Sequence, residues 1–131
     1  MRISTKGRYA FTVMLYLAKN YKNDTFLSLN EIAKKENISI KYLEKVMLNF
    51  KNTDYLISAR GLDGGYKLKY EPKQYKISDI LKIAEGDISV VSCINEGICD
   101  KKNNCLTIPL WTELNTIINN FLDSKTLEDY I

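Results

Sequence analysis

Hydrophobic positions along this 131-residue chain change their period twice, and each change marks an element. Behind Ser4 and Thr5, either of which can cap a helix, Ala10, Val13, Met14, Leu17, Ala18 and Tyr21 fall at helical spacing. That face predicts a helix ending near Asn23 and Asp24. The stretch SLNEIAKKENIS gives Ser28 and Glu31 the spacing of a capping box, with Leu29, Ile32 and Ala33 behind them. This short helix is expected to stop near Asn37. Ser39 then caps another, with Ile40, Leu43, Val46, Met47 and Phe50 turned inward. Two short helices joined by a tight turn predict a helix-turn-helix.

The period then becomes two. In LISARGLDGGYKLKY, Ile57 and Ala59 are expected on one face of a first strand, and Tyr66, Leu68 and Tyr70 on one face of a second. GLDGG between them tolerates positive φ, so the segment reads as a β-hairpin closed by Pro72. Helical spacing returns with Ile80, Leu81, Ile83 and Ala84, which Ser78 can cap and Gly86 ends. Pro109 suits the first turn of a last, long helix. There Leu110, Leu114, Ile117, Ile118 and Phe121 form an apolar stripe with Trp111 beside it, and a final turn is expected over 126–130. The stripe is too apolar to be left in water: burying each side chain contributes about 1.5–3 kcal/mol before ordering costs.

Three helices followed by a hairpin give the fold class: mainly α with a small β-hairpin wing, a winged helix-turn-helix with a long C-terminal helix. Composition narrows the function. A hydrophobic share of 45% with 27% charged residues builds an ordinary globular core. No run approaches 18 apolar residues and no leader-like segment opens the chain, so the protein is expected in the cytoplasm, away from membranes. The formal charge of +3 does not by itself identify a nucleic-acid binder. Its placement carries more. Arg2, Lys6 and Arg8 surround a helix start, where cations and backbone N–H groups can hold phosphates. Lys41, Tyr42, Glu44 and Lys45 lie in the first turns of the second helix of the pair, within reach of base edges or phosphates. A carboxylate such as Glu44 can accept from a cytosine amino group. Arg60, beside Gly61 on the thin hairpin, suits a narrow minor groove. Lysines four apart are also what any solvated face shows, and a glycine-rich hairpin is most often only a turn. Together and in this order the features point to double-stranded DNA. A conventional hydrolase is not expected: there is no histidine base and no GxSxG motif.

All three cysteines lie in CINEGICDKKNNC, as Cys93, Cys99 and Cys105. Six residues of α-helix advance about 600°, so a helix would point the three thiols apart. The polar residues between them favour a loop, which can turn them inward. Converging thiolates suit zinc or an iron–sulfur cluster. Zinc sites usually show CxxC pairs or histidine partners, absent here, so a cluster is the better fit, although it normally takes four ligands.

MRISTKGRYA, SIKYLEKV, ARGLDGGYKL and C-x5-C-x5-CLT followed by Leu110-Trp111 together resemble the IscR/NsrR/CymR family of bacterial winged-helix regulators, over nearly the whole chain. The resemblance implies a DNA-binding transcriptional regulator, most often a repressor, acting as a homodimer on operator DNA. It implies a winged domain over residues 1–77, and a cysteine loop and dimerisation helix over 78–131. Ser28, Ser39, Lys41, Tyr42, Glu44, Lys45, Arg60 and Gly61 match its DNA-contacting stretches. Cys93, Cys99 and Cys105 match its cluster cysteines, with [2Fe–2S] favoured over [4Fe–4S]. Control by cluster, redox or nitric oxide status follows from the same likeness.

One departure matters. IscR-like members carry a histidine three residues after the third cysteine, and here that residue is Ile108. Other members use an acidic residue on the partner's first helix, where this chain has Arg8. The fourth ligand stays open among Glu96, Asp100, Asn103, Asn104, a partner residue and a small exogenous ligand. Two other readings follow: a cluster-free member governed by a partner enzyme or by thiol oxidation, and an iron–sulfur carrier.

Overall fold

The computed structural model describes residues 2–95 and 99–131. Helix α1 (Thr5–Lys19) starts at Ser4, whose hydroxyl accepts from the Gly7 N–H at 3.2 Å. A 3₁₀ turn (Tyr21–Asn23) follows, and Asp24 ends it with a φ of 49°. Helix α2 (Leu29–Glu36) stops at Asn37, which takes the left-handed conformation (φ 54°). Ser39 caps α3 (Ile40–Met47), accepting from the Tyr42 N–H at 3.4 Å. Strands β1 (Leu56–Ala59) and β2 (Gly65–Leu68) form an antiparallel hairpin pairing Leu56 with Leu68 and Ala59 with Gly65. Helix α4 (Ile77–Glu85) ends at Gly86, and α5 (Ile108–Ser124) has Pro109 in its first turn. Among the described residues no helix is long and apolar enough to cross a membrane.

The core lies between α1, α2, α3 and α4. Val13, Met14 and Leu17 meet Ile32, Leu43, Val46, Met47, Phe50 and Ile80 there, all essentially inaccessible. Leu27 adds a bridge to the hairpin: its N–H and C=O bond Tyr66 at 2.8 and 2.9 Å. Only glycine permits this at Gly65, whose φ is 145° and where a Cβ would stand 2.2 Å from the Leu27 carbonyl oxygen. Tyr75 is buried at the foot of the hairpin. Its hydroxyl donates to the Tyr55 C=O (2.7 Å) and accepts from the N–H groups of Lys69 (3.0 Å) and Tyr70 (2.9 Å). The chain end returns to this layer. Lys125 accepts from the Ile77 N–H at 2.9 Å, the Leu127 N–H donates to Tyr75 at 3.1 Å, and Leu127 is fully buried.

Two local expectations are corrected, and one point that the sequence left open, the buried face of β1, is settled. Ser78 does not cap α4: Lys76 stands at the cap, and Ser78 is buried two residues further on, in the first turn, with no hydrogen-bond partner for its hydroxyl among the described residues. The bridge between Lys76 and Thr126 sets the helix start earlier than side-chain chemistry alone suggests. Ser28 caps α2, but through the Asn30 N–H (3.1 Å), and Glu31 is exposed and makes no reciprocal bond. On β1 the core-facing residue is Leu56, opposite Leu68. Ile57, opposite Lys67, faces out, because pairing register fixes which parity is buried.

Candidate nucleic-acid interface and cysteine segment

Helix α3 presents Lys41, Glu44 and Lys45 to solvent on one face, while Leu43, Val46 and Met47 fill the core. Tyr42 is placed differently. Its ring packs edge-on against Tyr9 of α1, with centroids 5.6 Å apart, and is half-buried. Tyr42 therefore helps to fix α3 on α1. The hydroxyls of Ser28 and Ser39 are engaged as helix caps. Arg60 follows the end of β1 and is exposed, next to Gly61 with its φ of 101°, and Leu62 projects from the hairpin tip.

At the start of α1, Arg2 and Arg8 are exposed, and the Arg8 guanidinium donates to Thr5 Oγ1 at 3.1 Å. Lys6 lines a shallow hollow with Leu48, Asn49 and Glu85, near the C-terminal end of α3. Among the described residues the ion pairs are Lys67–Asp24, Lys69–Asp54 and Lys73–Glu71. Arg2, Lys6, Arg8, Lys41, Lys45 and Arg60 have no acidic partner in that set. Their charge is available to an external anion, whereas the β2 lysine and its neighbour are already neutralised.

Sequence reasoning missed the contacts that hold this surface in place. Glu85, at the end of α4, accepts from the Ser4 N–H (2.8 Å) and the Ser4 hydroxyl (2.7 Å) through Oε1. Its carboxylate thus sits against the positive end of α1. The side-chain amide of Asn49 donates to the carbonyls of Ile83 (3.1 Å) and Ala84 (3.3 Å), joining the end of α3 to the end of α4. The signal for the first contact was Gly7, a glycine within a helical pattern, which marks a close approach.

Cys93 lies in a 3₁₀ turn (Ser92–Ile94), and Cys105 directly follows another (Lys102–Asn104). All three cysteines are free and half-buried. Cys105 Sγ is 3.4 Å from Thr107 Oγ1, and this contact, with the backbone of Thr107, holds its thiol below the ordinary value. Among the described residues no three Cys, Asp or Glu side chains are gathered closely enough to hold a metal ion. The expected convergence of the three thiols is therefore not found. Of the residues left open as a fourth ligand, Glu96 lies outside the described residues, while Asp100, Asn103 and Asn104 are exposed. Ile108 is the first residue of α5.

Helix α5 leaves most of its stripe uncovered, Ile118 being half-buried. Leu110, Ile117 and Phe121 are 57%, 59% and 55% exposed, and Leu114 is also open to solvent. Asn115 ties the helix to the preceding segment, accepting from the Val90 N–H at 3.0 Å.

The profile of a family described as Rrf2, iron-dependent transcriptional regulators, matches residues 3–131. The chain belongs to the Rrf2 family. It is 38% identical to the transcriptional regulator CymR of Bacillus subtilis (strain 168) over 129 residues, 98% of this chain and 88% of that protein. The solved B. subtilis CymR, described as the global cysteine regulator, superposes with a TM-score of 0.77 at 36% identity, covering 98% of this chain and 95% of that one. The IscR structure from T. potens gives 0.77 at 30% identity, covering 98% and 85%. The Rrf2 relatives are named as transcriptional regulators, and this chain is a DNA-binding transcriptional regulator rather than an enzyme.

Proposed function

We propose that the protein is a homodimeric repressor whose grip on double-stranded operator DNA is set by the cysteine segment 93–105. Residues 1–77 serve as the reading head, and residues 78–131 as the sensing and dimerising part. Lys41, Glu44 and Lys45 face the major groove, Arg60 and Gly61 the minor groove, and Arg2, Lys6 and Arg8 the phosphates. The observation that carries the proposal is continuity: Cys105 stands three residues before α5, whose apolar face is left open for a twofold partner. A symmetric dimer would present two α3 helices about 34 Å apart to a roughly palindromic site.

Cys93, Cys99 and Cys105 would hold an iron–sulfur cluster, [2Fe–2S] rather than [4Fe–4S]. The donor set fits in kind: three free thiols, one of them drawn toward thiolate by Thr107. When bound, such a group supplies an iron centre that responds to oxidants and nitric oxide. The chain's part is to close the loop until the three thiols converge and to pass that closure to α5. Coupling of about 1–3 kcal/mol would change operator affinity about 5–150-fold, and operator DNA must favour the loaded state to the same degree.

A second reading, a cluster-free regulator working through thiol oxidation or a partner enzyme, is favoured by the spread of the three thiols and by the likeness to CymR. One preparation separates the two. Protein purified without air is examined for visible absorption, iron and sulfide, and its operator affinity is measured before and after chelation. A coloured sample whose affinity changes on chelation supports the cluster. A colourless sample that cannot be reconstituted, yet binds its operator and responds to peroxide, supports the second reading.

A further inference from the structure

The exposed face of α3 runs further than the stretch that sequence reading assigned to DNA. Leu48 follows Lys41, Glu44 and Lys45 at helical spacing and opens the 3₁₀ turn Leu48–Phe50. It is 53% exposed, while Met47 and Phe50 on either side are buried. These four residues, with Lys51 and Tyr66, line an open groove of about 450 Å³ between α3 and the hairpin. The groove's far wall is fixed, since Tyr66 is bonded through its backbone to Leu27.

The charge of the groove selects its occupant. Lys41, Lys45 and Lys51 have no ion-pair partner among the described residues, whereas Lys67 and Lys69 of the hairpin are held by Asp24 and Asp54. Three lysines against the single carboxylate of Glu44, around one exposed leucine, leave the groove net positive and match a polyanion that also carries apolar groups. A DNA strand supplies both, as phosphates and thymine methyls. Resting on the DNA-binding reading, we propose that an operator strand seats in this groove, with Lys51 holding a phosphate and Leu48 reading a thymine methyl group.

The test uses the full chain and duplexes selected from a randomised library, with affinity followed against salt. Lys51→Ala lowers the slope of log affinity against log salt by about 0.9 per bound subunit. It also weakens binding about fivefold per subunit near ~0.15 M salt and leaves base preference unchanged. Lys51→Arg restores the slope. Replacing thymine by uracil at one position of each half-site weakens the unaltered protein about fourfold per subunit, the loss of one buried methyl each, and leaves Leu48→Ser unaffected. A Lys51→Ala protein with an unaltered slope, or a Leu48→Ser protein still sensitive to uracil, overturns the proposal while the regulator reading stands. Failure of the unaltered protein to select any sequence overturns both.

Discussion

Gly7 and Glu85 are so close that a Cβ on the glycine would stand 2.1 Å from the carboxylate oxygen that grips Ser4. The glycine makes room for the clasp between α1 and α4. Gly7→Ala is expected to push Glu85 aside and cost about 0.5–2 kcal/mol, since lost charged hydrogen bonds of about 1.5–3 kcal/mol outweigh alanine's helix preference of about 1 kcal/mol. Because Glu85→Ala removes the same contact, the double variant should lose less than the two single losses added together. Urea titration of the four proteins measures this.

Tyr75 holds three backbone groups with one hydroxyl. Tyr75→Phe leaves the Tyr55 carbonyl and the Lys69 and Tyr70 N–H groups short of a partner in a half-dry site. The expected loss is about 1–3 kcal/mol. Hydrogen exchange at Lys69 and Tyr70 should accelerate ahead of exchange in α1.

Ile117 lies near the middle of the open stripe. Ile117→Glu is expected to leave the subunit folded, because the side chain contributes little to its core, and to abolish dimerisation. Two buried isoleucines at about 1.5–3 kcal/mol each correspond to a dissociation constant raised by about 10²–10⁴-fold. Sedimentation velocity distinguishes the states, and operator affinity should fall with the dimer.

Lys6 and Glu44 should fail differently. Lys6→Ala is expected to weaken every duplex alike, as loss of a phosphate contact does. Glu44→Ala should change which bases are preferred, by about 1–3 kcal/mol at one position. Parallel binding to operator and scrambled duplexes tells them apart. A uniform loss for Glu44→Ala would contradict a base-reading role.

Asp24 and Asp54 sit below the usual carboxylate value of 3.8, Asp24 through its hydrogen bond from Lys67, and Asp54 through Lys69 and then Tyr70. A depressed folded value means that the stabilisation is present above 3.8 and is lost as pH falls through the folded values. Carboxyl NMR titration should give midpoints below 3.8 for both groups. Lys69→Met should return Asp54 toward that value and leave Asp24 where it was.

What the sequence made legible were features written in local chemistry. Ser4 and Ser39 mark helix starts, Asn37 and Gly86 mark ends, and the period of two announces the hairpin. What it concealed depends on partners far along the chain. Ser78 has the composition of a cap, yet the Lys76–Thr126 bridge begins the helix before it. Ile57 and Leu56 are equally apolar, and only pairing with Leu68 decides between them. The cationic surface was readable residue by residue. The neutralisation of Lys67 and Lys69 was not, because their acids lie 43 and 15 positions away. The three cysteines were visible as a set, but spacing alone could not say whether their loop gathers them.

The return of the chain end beneath the hairpin has a mechanical consequence. Beyond α5, the pairing of Lys125 with Ile77 and the burial of Leu127 anchor that end of the helix. Sliding the helix lengthwise would break those backbone bonds and wet a core leucine, so swinging it about the anchored end is the cheaper displacement. In a twofold pair of the proposed kind, a helix pivoting at Leu127 would turn a small movement near Cys105 into a change of angle between the two copies.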